Sequence, residues 1–153
     1  MLRVSRLTDY GIVLMSAVAA EPAGTVCTSR DLAAASALPA ATVSKLLKRL
    51  HRAGLLASQR GLHGGYVLAR PAAAITLAEV VDALEGRVAL GDCQGEEPGT
   101  CLLQGACPVR GTWRAINHTM REALRGVTLA GVATPRLRAH RGRRPRPAGE
   151  AKP

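Results

Sequence analysis

Residues 29–69 read SRDLAAASALPAATVSKLLKRLHRAGLLASQRGLHGGYVLA, and this stretch decides the fold. Its clearest period runs through Val43, Leu46, Leu47 and Leu50, the i, i+3, i+4, i+7 spacing that gathers apolar side chains on one face of an α-helix. At roughly 100° per residue, Lys45, Lys48, Arg49 and Arg52 fall on the opposite side. A helix is therefore predicted over about 40–53, with Gly54 as its C-terminal cap. A shorter helix is predicted over 30–37, capped by Ser29 and with Asp31 near its electropositive end. Between the two, Leu38-Pro39 makes a tight corner, because proline disfavours helical backbone in the residue before it and suits the first turn after it. Two short strands follow, over 55–59 and 66–69, joined by Arg60-Gly61-Leu62-His63-Gly64-Gly65.

Two short helices meeting at a corner, a basic second helix, then a hairpin: this is the layout of a winged helix-turn-helix. The apolar face of the second helix docks on the core and leaves a cationic ridge outward. A helix fits the major groove, so Thr42, Ser44 and Lys45 are the candidates for base contacts, while Lys48, Arg49 and Arg52 are better placed for phosphates. The glycines of the hairpin permit positive φ and a close backbone approach, which makes Gly61, His63, Gly64 and Gly65 candidates for DNA contact. Arg60 at the hairpin root can enter a narrow minor groove. A basic helix face is by itself usually just solvated. Here, however, no Asp or Glu occurs between Leu32 and Ala78, against six Lys and Arg, so the whole face carries one sign.

Composition agrees with a helical body. The 153 residues are 47% hydrophobic, yet include no Phe, one Trp and two Tyr, so the core must be Leu, Val, Ile and Ala. The net charge is +10, of which +6 lies in residues 135–153; such a balance suits a polyanionic partner without identifying it. Arg3 and Arg6 before an apolar run, with Ala17-Val18-Ala19-Ala20 behind it, imitate a signal peptide. Asp9 at the head of that run, and Thr8 as an N-cap, favour instead a buried first helix over 8–20, ended by Pro22-Ala23-Gly24. No stretch approaches the roughly 20 apolar residues needed to span a bilayer. A cytoplasmic protein is expected, with its cysteines reduced. Thr76 is predicted to cap a helix over 77–84 ended by Gly86, a long helix should cover 109–125, and Thr128 should start a short last one. Beyond Thr134 the Arg/Pro/Gly composition predicts disorder.

Cys93, Cys101 and Cys107 form a C-x7-C-x5-C pattern in a segment with Gly91, Gly95, Gly99 and Gly105. Three thiolates within so short and supple a span can wrap one metal centre. Zinc is less natural without a C-x2-C knuckle, although His118 would complete a Cys3His set. Cys27 stands apart as a small core or surface residue. No nucleophile is paired with a base, and no phosphate-cradling loop leads into a helix, so nothing points to an enzyme.

Taken together these residues resemble the Rrf-type family of bacterial regulators that includes IscR and NsrR, over about residues 1–134. The most specific motif is Arg60-Gly61-x-x-Gly64-Gly65-Tyr66 followed by Thr76-Leu77-x-Glu79-Val80. Cys107-Pro108-x-Arg110-x-x-Trp113-x-x-Ile116-Asn117 and Leu124-Arg125-x-Val127-Thr128-Leu129-Ala130 are similar to the branch that regulates SUF iron–sulfur assembly operons. The resemblance implies a mainly α protein with a small β-hairpin: a winged helix-turn-helix domain (1–86), a cluster-binding cysteine segment (87–108), a dimerisation helix with a short terminal helix (109–134) and a basic tail (135–153). It implies a homodimer on near-palindromic double-stranded DNA. It also implies a [2Fe-2S] or [4Fe-4S] iron–sulfur cluster held by Cys93, Cys101 and Cys107. IscR-like members place a histidine three residues after the last cysteine; here that residue is Arg110, which does not ligate iron. NsrR-like members use an aspartate of the partner subunit near the N-terminus, and Asp9 in Leu7-Thr8-Asp9 matches it; His118, Asp92, Glu96 and Glu97 are alternatives. The implied function is a cluster-dependent repressor of SUF genes. A nitric-oxide or redox sensor of the same family, or a cluster-free thiol-based regulator, is the alternative.

Overall fold

A computed structural model describes residues 4–61, 64–87, 89–90, 103 and 106–133. Its elements are α1 (Arg6–Ala19), α2 (Ser29–Ser36), α3 (Ala40–Arg52), β1 (Leu56–Gln59), β2 (Gly65–Leu68), α4 (Leu77–Glu85), α5 (Arg110–Arg125) and α6 (Leu129–Val132), with a 3-10 turn at Ala72–Ala74 before α4. The two strands pair antiparallel in the register Leu56 with Leu68 and Gln59 with Gly65. The tail from residue 134 onward, and with it the expected disorder, lies outside the described residues.

The core is aliphatic, as the composition requires. Leu14 and Met15 of α1, Val43, Leu46, Leu47 and Leu50 of α3, and Val80 and Leu84 of α4 pack with Leu55, Leu56 and Ile75. The predicted apolar stripe of α3 is thus its buried face, and all four of its residues are fully enclosed. Leu129 of α6 is fully buried in the same cluster. The chain returns to that core through Leu77 N–H to the Val127 carbonyl and Leu129 N–H to the Ile75 carbonyl, both at 2.9 Å.

Two helix starts differ from the sequence reading. The first helix is capped by Ser5, whose hydroxyl accepts from the Thr8 N–H; Thr8 lies inside the first turn and is fully buried. Both are cap-forming residues three apart, and burial of Thr8 decides between them. The second helix is capped by Thr28, which accepts from the Asp31 N–H, so Ser29 is its first residue. Ala37 then takes a left-handed conformation, φ 55° and ψ 24°, and turns the chain into Leu38-Pro39 and α3. The predicted cap of α4 is present in full: the Thr76 hydroxyl accepts from the Glu79 N–H while the Glu79 carboxylate accepts from the Thr76 N–H. At Glu79 burial acts to raise the carboxyl pKa, but the bonds from Thr76 and the Arg70 guanidinium outweigh it and hold the group below its ordinary value.

Candidate nucleic-acid interface

Helix α3 exposes Lys45, Lys48 and Arg52, with Thr42 and Ser44 partly exposed beside them. Ala41, Ser44, Lys45, Lys48, Arg49 and Arg52 line one open concavity along the helix. The cationic face read from the sequence is therefore a single continuous surface. No acidic residue occurs in α3, and its last turn carries Arg49, His51 and Arg52, which also suits the electronegative end of the helix. Arg49 differs from its neighbours: it is only partly exposed, and its guanidinium donates to the carbonyl oxygen of Leu84 in α4.

The hairpin stands directly after this helix and is fastened to it. His51 Nδ1 donates to the Leu56 carbonyl at 2.9 Å, and its ring meets Tyr66 of β2 edge-on, 6.2 Å between centroids. The sequence reading passed over His51, although a histidine in the last turn before a glycine cap is a donor placed within reach of the next backbone segment. It also missed a third strand-like contact. Cys27 N–H donates to the Tyr66 carbonyl and Tyr66 N–H to the Cys27 carbonyl, each at 2.9 Å; the run Thr25-Val26-Cys27-Thr28, in which Thr25, Val26 and Thr28 are β-branched, is the signal that could have revealed it. Cys27 itself is buried in the core.

Arg60 is exposed immediately after β1. The glycines beside it serve different ends. Gly61 has φ +123°, which a residue with a Cβ rarely adopts. Gly64 and Gly65 do not need positive φ; a Cβ on Gly64 would lie 2.5 Å from the Gln59 carbonyl oxygen, and one on Gly65 would lie 2.5 Å from that of Cys27. His63 lies outside the described residues.

Of the cysteine triplet, Cys107 is a free, partly exposed thiol just before α5; Cys93 and Cys101, with Asp92, Glu96 and Glu97, lie outside the described residues. Asp9 is exposed in the first turn of α1, and His118 is exposed on α5. Among the described residues no three His, Cys, Asp or Glu side chains converge on a metal position. None of the residues of α5 is buried, and Val109, Trp113 and Ile116 are 49%, 40% and 41% exposed. No helix among the described residues is long and apolar enough to cross a membrane.

The profile of the Rrf2 family, described as iron-dependent transcriptional regulators, matches residues 4–135. The chain belongs to this family. An HTH-type transcriptional regulator of Mycobacterium tuberculosis is 35% identical over 145 residues, which cover 91% of this chain and 86% of the relative. The HTH-type regulator IscR of Yersinia pseudotuberculosis is 29% identical over 129 residues, 84% of this chain and 77% of that protein. Among solved structures the chain is similar to CymR, the global cysteine regulator of B. subtilis, with a TM-score of 0.71 at 28% identity, covering 87% of this chain and 97% of that one. The Rrf2 winged-helix architecture, and a role in transcription regulation with no enzymatic activity, follow from membership together with the α3–hairpin geometry.

Proposed function

We propose that the protein is a cytoplasmic, homodimeric repressor of iron–sulfur assembly (SUF) genes whose affinity for operator DNA depends on an iron–sulfur cluster. The observation that carries the DNA half is the unbroken cationic concavity of α3, with a glycine-built hairpin clamped beside it by His51 and Cys27. On this reading Thr42, Ser44 and Lys45 meet base edges, Lys48 and Arg52 meet phosphates, and Arg60, Gly61, His63, Gly64 and Gly65 serve the adjoining minor groove. The exposed apolar face of α5, with Trp113 and Ile116, is the surface a second copy would cover. Two recognition helices would then address a near-palindromic site.

The donor chemistry fits an iron–sulfur centre: Cys93, Cys101 and Cys107 would supply thiolates, and the exposed carboxylate of Asp9 in the partner subunit would supply the fourth ligand. When bound, the cluster supplies a redox- and iron-sensitive crosslink. The residues themselves then do the regulatory work, because Cys107 abuts α5 and Asp9 sits at the head of α1.

The similarity to CymR, a cysteine regulator related to one solved in an oxidised form, favours a second reading, in which the thiols respond directly by disulfide exchange. Anaerobically purified protein separates the two. The first reading expects stoichiometric iron and sulfide and a change in operator affinity of several kcal/mol when iron is removed by chelation. Colourless, iron-free protein, or C93A, C101A and C107A variants that bind the operator like wild type under every iron and redox condition, would sink it.

A further inference from the structure

We propose that Arg49 is a positioning residue, fastening the recognition helix to the last turn of α4, and that this turn carries the state of the cysteine segment to the DNA-reading surface. The second half rests on the cluster reading above; the first does not.

The last four carbonyls of a helix lack intrahelical donors, and that end is electronegative. Helix α4 carries no basic residue in its own last turn. Arg49 of α3 supplies the missing cation from another element, donating to the Leu84 carbonyl. Two neighbours in the same turn hold two further helices. Asp82 accepts from Arg121 of α5 at 3.0 Å, with both side chains largely shielded. Glu85 accepts from the Ser5 N–H at the head of α1, at 2.8 Å. The Leu84 side chain meanwhile lies so close to Gly11 of α1 that a Cβ there would collide with it.

One turn therefore grips α1, α3 and α5. The chain leaves that turn through Gly86, at φ +86°, directly into the segment that holds Cys93, Cys101 and Cys107. Any shift imposed on residue 86 moves the Leu84 carbonyl, and Arg49 passes that motion to α3. With one Nη bonded to the Leu84 carbonyl and the side chain only partly exposed, Arg49 is held toward α4, which separates it from the exposed Lys45, Lys48 and Arg52.

The experiment titrates wild-type protein, R49K, R49Q and R52A against two duplexes over a salt series. One duplex is selected from a random library by the wild-type protein; the other is a random sequence. Non-specific binding reads only phosphate charge, and each lost phosphate contact makes its salt dependence shallower by about one counterion. Lysine keeps the charge but ends one atom short of the guanidinium nitrogens. The expected result is that R49K and R49Q lose about tenfold on the selected duplex and keep the wild-type slope on random DNA, while R52A loses slope on both. A slope loss of about one in R49Q on random DNA would make Arg49 a phosphate contact, and wild-type affinity of R49K for the selected duplex would remove the positioning role. The slope is independent of the folded fraction, and the ratio of selected to random affinity cancels it, so partial unfolding does not obscure this arm when the tenfold loss is read in that ratio. A second arm compares iron-loaded with iron-stripped protein. If wild type responds and R49K responds equally, transmission through Arg49 is overturned. If wild type does not respond, the cluster reading fails, and the first arm still decides the placement of Arg49.

Discussion

Replacing Gly65 by alanine tests whether the hairpin is clamped to the body. The added Cβ would stand 2.5 Å from the Cys27 carbonyl oxygen, 2.9 Å from its carbonyl carbon and 2.9 Å from Val26 Cγ1. An ordinary carbon–oxygen contact needs about 3.3 Å, so backbone must move apart by roughly 0.8 Å. The two bonds that join Cys27 and Tyr66 measure 2.9 Å each; opened by that amount they pass the distance at which a hydrogen bond survives. Each contributes about 0.5–1.5 kcal/mol, so the expected loss is about 2 kcal/mol, or about 4–8 °C in melting temperature for a chain of this size. Thermal melts followed by circular dichroism read the loss. Amide exchange identifies its source, because the Cys27 and Tyr66 N–H groups should lose protection before the core of α3 does. Operator affinity should fall with them as the hairpin swings away. If G65A melts within about 1 °C of wild type, with both amides still protected, the steric argument is wrong.

Three other outcomes follow from particular contacts. Ala37 holds a left-handed conformation at φ 55°, which costs a residue with a Cβ about 1–2 kcal/mol; A37G should recover part of this against the added freedom of its unfolded chain, a net gain of about 0.5 kcal/mol in urea titrations. The Glu85 carboxyl is held below its ordinary value of 4.5, first by the Thr8 hydroxyl and then by the Ser5 backbone N–H. Its contribution is thus complete above that ordinary value and is lost as pH falls through the lowered folded one, so the stability gap between wild type and E85Q should be present at neutral pH and close in acid. Finally, placing charge in the exposed apolar face of α5 with W113E/I116E should convert the proposed dimer to a monomer in analytical ultracentrifugation and weaken operator binding at least tenfold; a sedimentation profile unchanged from wild type would refute that interface.

What was legible in the sequence was what local periodicity and turn chemistry determine. The four apolar residues of α3, the Leu38-Pro39 corner, the hairpin and the Thr76 capping box each follow from neighbours within a few positions, and each element forms within a residue or two of its expected bounds. The reading slipped by a few residues where two capping residues stand close together, as Ser5 with Thr8 and Thr28 with Ser29, since residue type alone does not choose between them. The site divides in the same way. That Lys45, Lys48 and Arg52 share a face is fixed by helical pitch. That Arg49 turns to Leu84, 35 positions away, depends on how α3 crosses α4, and no period in the chain encodes it. The Cys27–Tyr66 pairing escaped for the same reason, being a contact between segments nearly 40 positions apart with only a short β-branched run to mark it.

The closure of the chain by Leu129 has a consequence for how such a protein can diversify. Residues 127–129 are stitched to residues 75–77, and α6 fills a slot against α1. The segment between Gly86 and Val127 therefore starts and ends on one body, and α5 within it is tied to that body again through Arg121 and Asp82. Changes of length between those two anchors need not disturb the body, so long as the anchors stay put. By the same token the body does not tolerate losing its far anchor: a chain cut after Arg125 would leave a leucine-sized hole in the core beside α1.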